Sequence, residues 1–305
     1  MLEEKTTNRE NILKIVSRIS ELPYDYDAVN DVLYLLKDSN ANFIQLAKTI
    51  QRDHSLFIKI LGEANSSARA TSQKVYTIER AISILGLDNV EKIVMEIIKN
   101  DPVKIQDSDS WYRNIFWRHS VFVANTARSI SEDLNYKQPG DSFTAGFLHD
   151  IGVFIIRYFF SNEYLEIKDL VEHSEVPFMK AEKIVLGTDH LEIAGNLIKK
   201  WNLPGEIKDA VVNHRNPSDC SEGLILSSVV HLSDFITYWI GINRNLWDND
   251  LQFDENIISI LKLNDHKINE QIPFAVHDIV RDILLSRSRN GKNNFHSHTQ
   301  ANHFQ

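Results

Sequence analysis

A single cysteine in 305 residues, Cys220, excludes an internal disulfide and any cysteine-rich zinc module. Long apolar runs are also missing. The longest, VFIIRYFF at 153–160, is interrupted by Arg157 and is far shorter than the roughly 20 residues a membrane-spanning helix needs. The first ten residues, MLEEKTTNRE, are polar and acidic, unlike a signal peptide, so a cytoplasmic protein without membrane association is expected. Positive charge is in short supply: 33 Lys and Arg stand against 42 Asp and Glu, a net charge of −9, and no basic cluster carries interleaved aromatics. That balance opposes a phosphate backbone, so neither DNA nor RNA is an expected partner. Apolar and polar residues nowhere alternate with period two for long, which argues against a sheet.

What is present is the helical period. Apolar residues recur at i, i+3, i+4, i+7 in Ile12/Ile15/Val16/Ile19, Val29/Val32/Leu33/Leu36, Phe43/Leu46/Ala47/Ile50, Phe57/Ile60/Leu61/Ala64, Ile78/Ala81/Ile82/Leu85 and Val90/Ile93/Val94/Ile97. Pro23, DSNAN at 38–42, NSSARATSQ at 65–73 and Gly86 punctuate these segments. The class expected is all-α. A helix over 1–21 precedes a first helical lobe at 22–105. The polar DPVKIQDSDS at 101–110 forms the seam to a second lobe at 106–242, and further helices are expected at 243–285. The last residues, 286–305, are polar, and His296, His298 and His303 within them read as solvated.

The stretch GFLHDIG at 146–152 sets His149 beside Asp150 inside an apolar run that ends on Gly152. Neighbours on a helix point about 100° apart, so the pair can share one centre only at a helix end or kink. Ser142, Ala145, Gly146 and His149 form a face of small residues against which another helix can pack closely. Other possible ligands share inward faces: His119 follows Tyr112, Ile115 and Phe116, His190 leads Ile193, Ala194 and Leu197, and His214 follows Ile207, Ala210 and Val211. Asp234 lies in SVVHLSDFITYWIG, one of the most apolar stretches of the chain. Taken singly, each histidine reads as a hydrogen-bonded core residue and each aspartate as a cap or ion-pair partner. Together they form a mixed nitrogen and oxygen set suited to one or two divalent transition-metal ions, iron, manganese, nickel or zinc, and an aspartate can bridge two ions.

The order His119, then His149-Asp150, then Asp234 resembles the ligand order of the HD metal-dependent phosphohydrolase superfamily. With His190 and His214 between, it is similar to the six-ligand form in which the aspartate of the tandem bridges a second metal. The first lobe narrows the resemblance. Leu22-Pro23, IQRDHSL with Asp53, ILGEANS with Asn65 and Ser66, and AISILGL with Leu85 and Gly86 look like the opening of an HDOD domain, the HD-related output domain of bacterial signalling proteins. GTDHLEIAGNLIKKWNLP, with His190, Trp201 and Leu203-Pro204, continues the likeness, which covers roughly 20–240.

That resemblance implies a two-lobed helical architecture, with the HD-type helical core in the second lobe, and a regulatory or scaffolding module more than an enzyme. The related HD-GYP phosphodiesterases carry HDIGK, whose lysine can contact a substrate phosphate, whereas Val153 follows Gly152 here and the GYP segment is absent. A hydrolase acting on a nucleotide or cyclic dinucleotide would therefore need another cation, and Lys168, Arg157 and Arg118 are not placed at the site by any pattern. Signalling proteins are the expected partners, with a small molecule or nucleotide as a possible ligand. With no receiver, kinase or cyclase in the chain, its inputs and outputs are expected on separate proteins. His231, three residues before Asp234, is an alternative ligand. His54, His173, His266 and His277 fall outside the ordered pattern and read as surface or packing residues. Asp53 and Asn65 suit caps or inter-helix hydrogen bonds, and the aromatics, including Trp111, Trp117 and Trp201, suit the core.

Overall fold

Most first-lobe helices begin where short polar side chains take up the orphan amides of the first turn. In a computed structural model of the chain, Asn42 caps α3 (Phe43–Ile50) through the Gln45 amide, and Thr77 caps α5 (Ile78–Leu85) through that of Arg80. Asp53 accepts from the Leu56 amide at 2.7 Å in the first turn of α4 (His54–Ala68) and also from Asp25 N at 2.7 Å. Asn65 bridges Leu61 O, Val75 O and Val75 N. Both are therefore the cap and inter-segment hydrogen bonds expected of them. The structure describes residues 2–263 except 39, 69–73, 101–103, 106–109, 137–138, 221 and 242–245, and for 2–7 the backbone alone. The expected tail at 286–305, most of the expected C-terminal helices, and His266, His277, His296, His298 and His303 lie outside the described residues.

Helices make up almost all of the described regular structure. The first part holds α1 (Leu2–Val16), α2 (Tyr26–Lys37), α3, α4, α5 and α6 (Leu87–Lys99). The second holds α7 (Arg118–Asp133), α8 (Pro139–Leu148), α9 (Ile151–Phe159), α10 (Ser161–Ser174), α11 (Phe178–Val185), α12 (His190–Lys200), α13 (Gly205–Asn213), α14 (Leu224–Trp239) and the short α15 (Ile257–Ile260). Residues up to Lys262 form one compact unit with a continuous apolar core running from Ile12 to Trp247. The only strands among the described residues are β1 (Tyr24–Asp25) and β2 (Lys104–Ile105), a two-residue parallel pair. They tie the inter-lobe seam back to the start of the first lobe.

The helical period marks the buried faces with three departures. Ile15 of α1 is exposed although Ile12, Val16 and Ile19 are buried. Phe43 opens α3 but is more than half exposed, because it stands in the first turn before the helix meets the core. Ile115 is also exposed although Tyr112 and Phe116 are buried. Residues Tyr112–Trp117 wind as a π-helix directly ahead of α7, and a widened turn shifts the phase so that the i+3 position swings outward. His119, just beyond, still faces inward. Among the described residues no single helix is long and apolar enough to cross a membrane.

Candidate metal centre

The His149-Asp150 pair sits in the break between α8 and α9, where Asp150 takes the bridge-region backbone of φ −103° and ψ 15°. The break frees the two side chains from helical phase and turns both toward one point. Two glycines make the surrounding approach possible. A Cβ on Gly146 would lie 2.9 Å from Ala124 Cα of α7, and one on Gly152 would lie 2.0 Å from His190 O at the start of α12. Helix ends supply most of the remaining groups. His119 is the second residue of α7, His190 the first of α12, and His214 the C-cap of α13, while Asp234 projects from the middle of α14.

All six residues named from the sequence, His119, His149, Asp150, His190, His214 and Asp234, are fully buried and meet at one place. The Nε2 atoms of His119 and His149 are 3.1 Å apart, and Asp150 Oδ2 lies 2.9 Å from His149 Nε2 and 3.3 Å from His119 Nε2. Asp234 Oδ1 is 3.3 Å from His119 Nε2 and 3.7 Å from His149 Nε2. On the other side, Asp150 Oδ1 lies 3.6 Å from His214 Nε2 and 3.9 Å from His190 Nε2. Donors bound at 2.0–2.2 Å to one ion stand about 2.8–3.6 Å apart on neighbouring positions. The first group has nearly that spacing, the second is somewhat wider, and Asp150 faces both.

Tautomers reinforce the geometry. His149 Nδ1 is 2.7 Å from Gly146 O and His214 Nδ1 is 2.7 Å from Val211 O. A carbonyl only accepts, so each Nδ1 carries a proton and Nε2 is the nitrogen left to face the centre. His190 Nδ1 lies 2.8 Å and 3.0 Å from the two oxygens of the buried Glu182, the carboxylate-histidine arrangement that orients metal-bound imidazoles. Asp150 Oδ1, His190 Nε2, His214 Nε2 and both Asp234 oxygens are buried without a hydrogen-bond partner. A buried carboxylate with nothing to accept from is costly by several kcal/mol, so these atoms are fitted to a cation and not to one another.

Charge leads to the same conclusion. Asp150, Asp234 and the equally buried Asp248 crowd together, and Arg215 is the guanidinium beside them, donating to Asp248 Oδ1 at 2.7 Å and to Trp247 O at 3.0 Å. Burial pushes Asp248 up to about 6, aided by the Asp234 charge. Burial opposes a charged His119, yet the carboxylates of Asp150 and Asp234, each 3.3 Å from its Nε2, carry it to about 10. Burial would raise Asp150 and Asp234, but neighbouring histidines hold both below the usual carboxylate range. Burial and the neighbouring His149 hold His214 well below its ordinary value. With one guanidinium beside three buried carboxylates, the centre draws a proton onto His119, which a divalent ion would displace.

Four functional residues escape the sequence reading. Glu182 occupies the apolar face Phe178/Ala181/Glu182/Val185 of α11, and an acid at that position was the available signal. Arg215 directly follows His214. Trp247 and Asp248 sit on a 3-10 turn, Leu246–Asp248, for which no periodicity speaks. Trp247 Nε1 donates to Asp150 Oδ2 at 2.6 Å. His231 is not an alternative ligand: Nδ1 donates to His214 O and Nε2 accepts the Asp254 amide, so both ring nitrogens are committed elsewhere. Of the cations considered, Arg157 lies over Trp111 and Tyr164, Lys168 pairs with Glu172, and Arg118 is exposed.

His54 is fully buried. Its ring stacks on Phe147 at 4.0 Å, and its Nε2 donates to Phe147 O at 3.1 Å, so the neutral Nδ1 accepts from the Tyr112 hydroxyl at 3.2 Å. A residue of the first lobe is thereby fastened two positions before His149. His173, by contrast, is exposed beside Asp169.

An HDOD domain family model matches residues 22–217. Among solved structures, the chain is similar to the MmoQ response regulator of Methylococcus capsulatus, at 21% identity and a TM-score of 0.60, covering 81% of this chain and 100% of that one. It is also similar to a virulence factor of Campylobacter jejuni, at 19% identity and a TM-score of 0.58, covering 87% of this chain and 97% of that one. At these identities the likeness is one of fold. No curated protein matches the chain.

Proposed function

The chain belongs to the HDOD family, and from that membership we propose a bacterial, cytoplasmic signalling module whose second lobe is organised around one or two divalent transition-metal ions, without turnover of its own. The observation that carries the metal assignment is the set of buried, partnerless atoms on Asp150, His190, His214 and Asp234 facing one point. His119, His149, Asp150 and Asp234 would hold one ion, and Asp150, His190 and His214 a second. Bound ions supply Lewis acidity and a water of lowered pKa. Mixed imidazole and carboxylate donors suit iron, manganese, nickel or zinc.

Two features support regulation over catalysis. Every ligand residue is sealed from water, and Val153, where HD-GYP enzymes resemble one another in carrying a lysine, is buried and apolar. The His54 contact to Phe147 offers a route by which occupancy of the centre reaches the first lobe, whose surface a partner signalling protein would read. A second reading, a metal-dependent phosphohydrolase acting on a nucleotide or cyclic dinucleotide, is favoured by Arg215, a cation beside the centre.

Elemental analysis of protein purified without added metal or chelator tests the proposal, followed by assays on cyclic dinucleotides and an aryl phosphate. Stoichiometric metal without turnover is expected. Turnover that a chelator abolishes would replace this reading with the second, and a metal-free protein would remove both.

A further inference from the structure

Three bonds tie the Leu246–Asp248 turn to the centre: the Trp247 indole to Asp150 Oδ2, and Arg215 to both Trp247 O and Asp248 Oδ1. The other Asp248 oxygen, Oδ2, is 3.9 Å from His119 Nε2. A carboxylate therefore stands between a guanidinium and the ligand cluster, fully buried, where its own charge adds to those of Asp150 and Asp234.

We infer that this turn is a removable plug, in which Asp248 occupies the place of an external oxyanion, a phosphate or phosphate ester, between Arg215 and the metal ions. The inference rests on the metal reading above. Guanidinium receives carboxylate and phosphate through the same planar donor geometry, so one can replace the other. Arg215 keeps spare capacity for such a ligand: its Nε and Nη1 are buried and have no hydrogen-bond partner, although the residue is only 6% exposed.

The six ligand residues are 0% exposed and Trp247 is 1% exposed, so no solute as large as phosphate reaches the centre while the turn is in place. Asn249, the next residue along the chain, is exposed, so the turn lies one residue from the surface. The Trp247 ring packs edge-on against Trp111 at 5.8 Å and against His119 at 6.0 Å. A three-residue 3-10 turn is too short to persist through its own hydrogen bonds. Its seat depends on the packing of Trp247 and on what Asp248 finds in the centre, and an anion bridging Arg215 and the ions would compete directly with Asp248.

The test uses the full chain, loaded with manganese, as wild type, Trp247→Phe and Asp248→Asn. Trp247→Phe keeps an aromatic ring and removes the indole donor; transfer of its manganese to a chelator in stopped flow should be about tenfold faster or more. Asp248→Asn keeps the shape and removes the charge; calorimetry should find orthophosphate bound on the order of tenfold more tightly than by the wild type. Either variant matching the wild type in its own measurement overturns the plug while leaving the metal reading intact. A wild-type chain that takes up no manganese, iron, zinc or nickel overturns the metal reading, and this inference with it. Should a variant fail to fold, hydrogen exchange of the wild type decides: amides of 246–251 must exchange faster than those of α14, and equal protection overturns the plug.

Discussion

Gly152 lies directly against His190, with the space for a Cβ already taken by the His190 carbonyl at 2.0 Å and its Cα at 2.9 Å. The obstacle is backbone, so it cannot turn aside as a side chain would. Gly152→Ala must push α12 away from α9 and carry His190 Nε2 off the centre. We expect a destabilisation of about 1–3 kcal/mol from overpacking, measured by urea unfolding, together with loss of metal at the His190 side.

Asp150 faces both ligand groups, whereas His190 belongs to one. Asp150→Ala is expected to abolish metal binding altogether, and His190→Ala to leave the ion held by His119, His149 and Asp234. Elemental analysis of the folded variants separates the two, and equal losses would count against Asp150 as a bridge.

Glu182 stands behind His190 and fixes its ring through Nδ1. Replacing the carboxylate by an amide keeps the volume and weakens that hold. Glu182→Gln should bind metal about 10–100-fold more weakly in a competition titration, with little change in fold.

Burial lowers His54 from 6.5 to about 3, so the folded chain keeps it neutral where the unfolded chain protonates it. Between those two values the unfolded state binds one more proton at this site, and stability falls as pH falls. The slope from this residue is about 1.4 kcal/mol per pH unit. Urea unfolding between pH 7 and pH 5 should show that share of the acid loss in the wild type and its absence in His54→Gln.

On the proposed metal reading, metal and fold are linked by mass action. Three buried carboxylates beside one arginine favour any condition that supplies a cation, so chelation should lower the melting temperature. Restoring free metal to about 100 times its Kd should return about 2.7 kcal/mol.

Much of this protein is legible along the chain because its helices announce themselves locally. A period of 3.6 depends only on neighbours within two turns, and it marks the core faces of α2 to α6 and the inward side of His190, His214 and Asp234. The His149-Asp150 tandem before Gly152 likewise implies a helix break, since two ligands side by side cannot share a helical face.

The tertiary structure decided what no local period encodes. Arg215 stands out only because Asp248, 33 positions away, meets it, and Glu182 only because His190 returns to it. Trp247 and Asp248 lie on a short 3-10 turn that no helical period marks, so their place against Asp150 and His119 follows from packing. Even Ile115 kept its period on paper and lost it to a π-helical turn. Periodicity reports which side of an element is buried; which buried groups then face each other depends on how helix ends are brought together, and that is a property of the whole core.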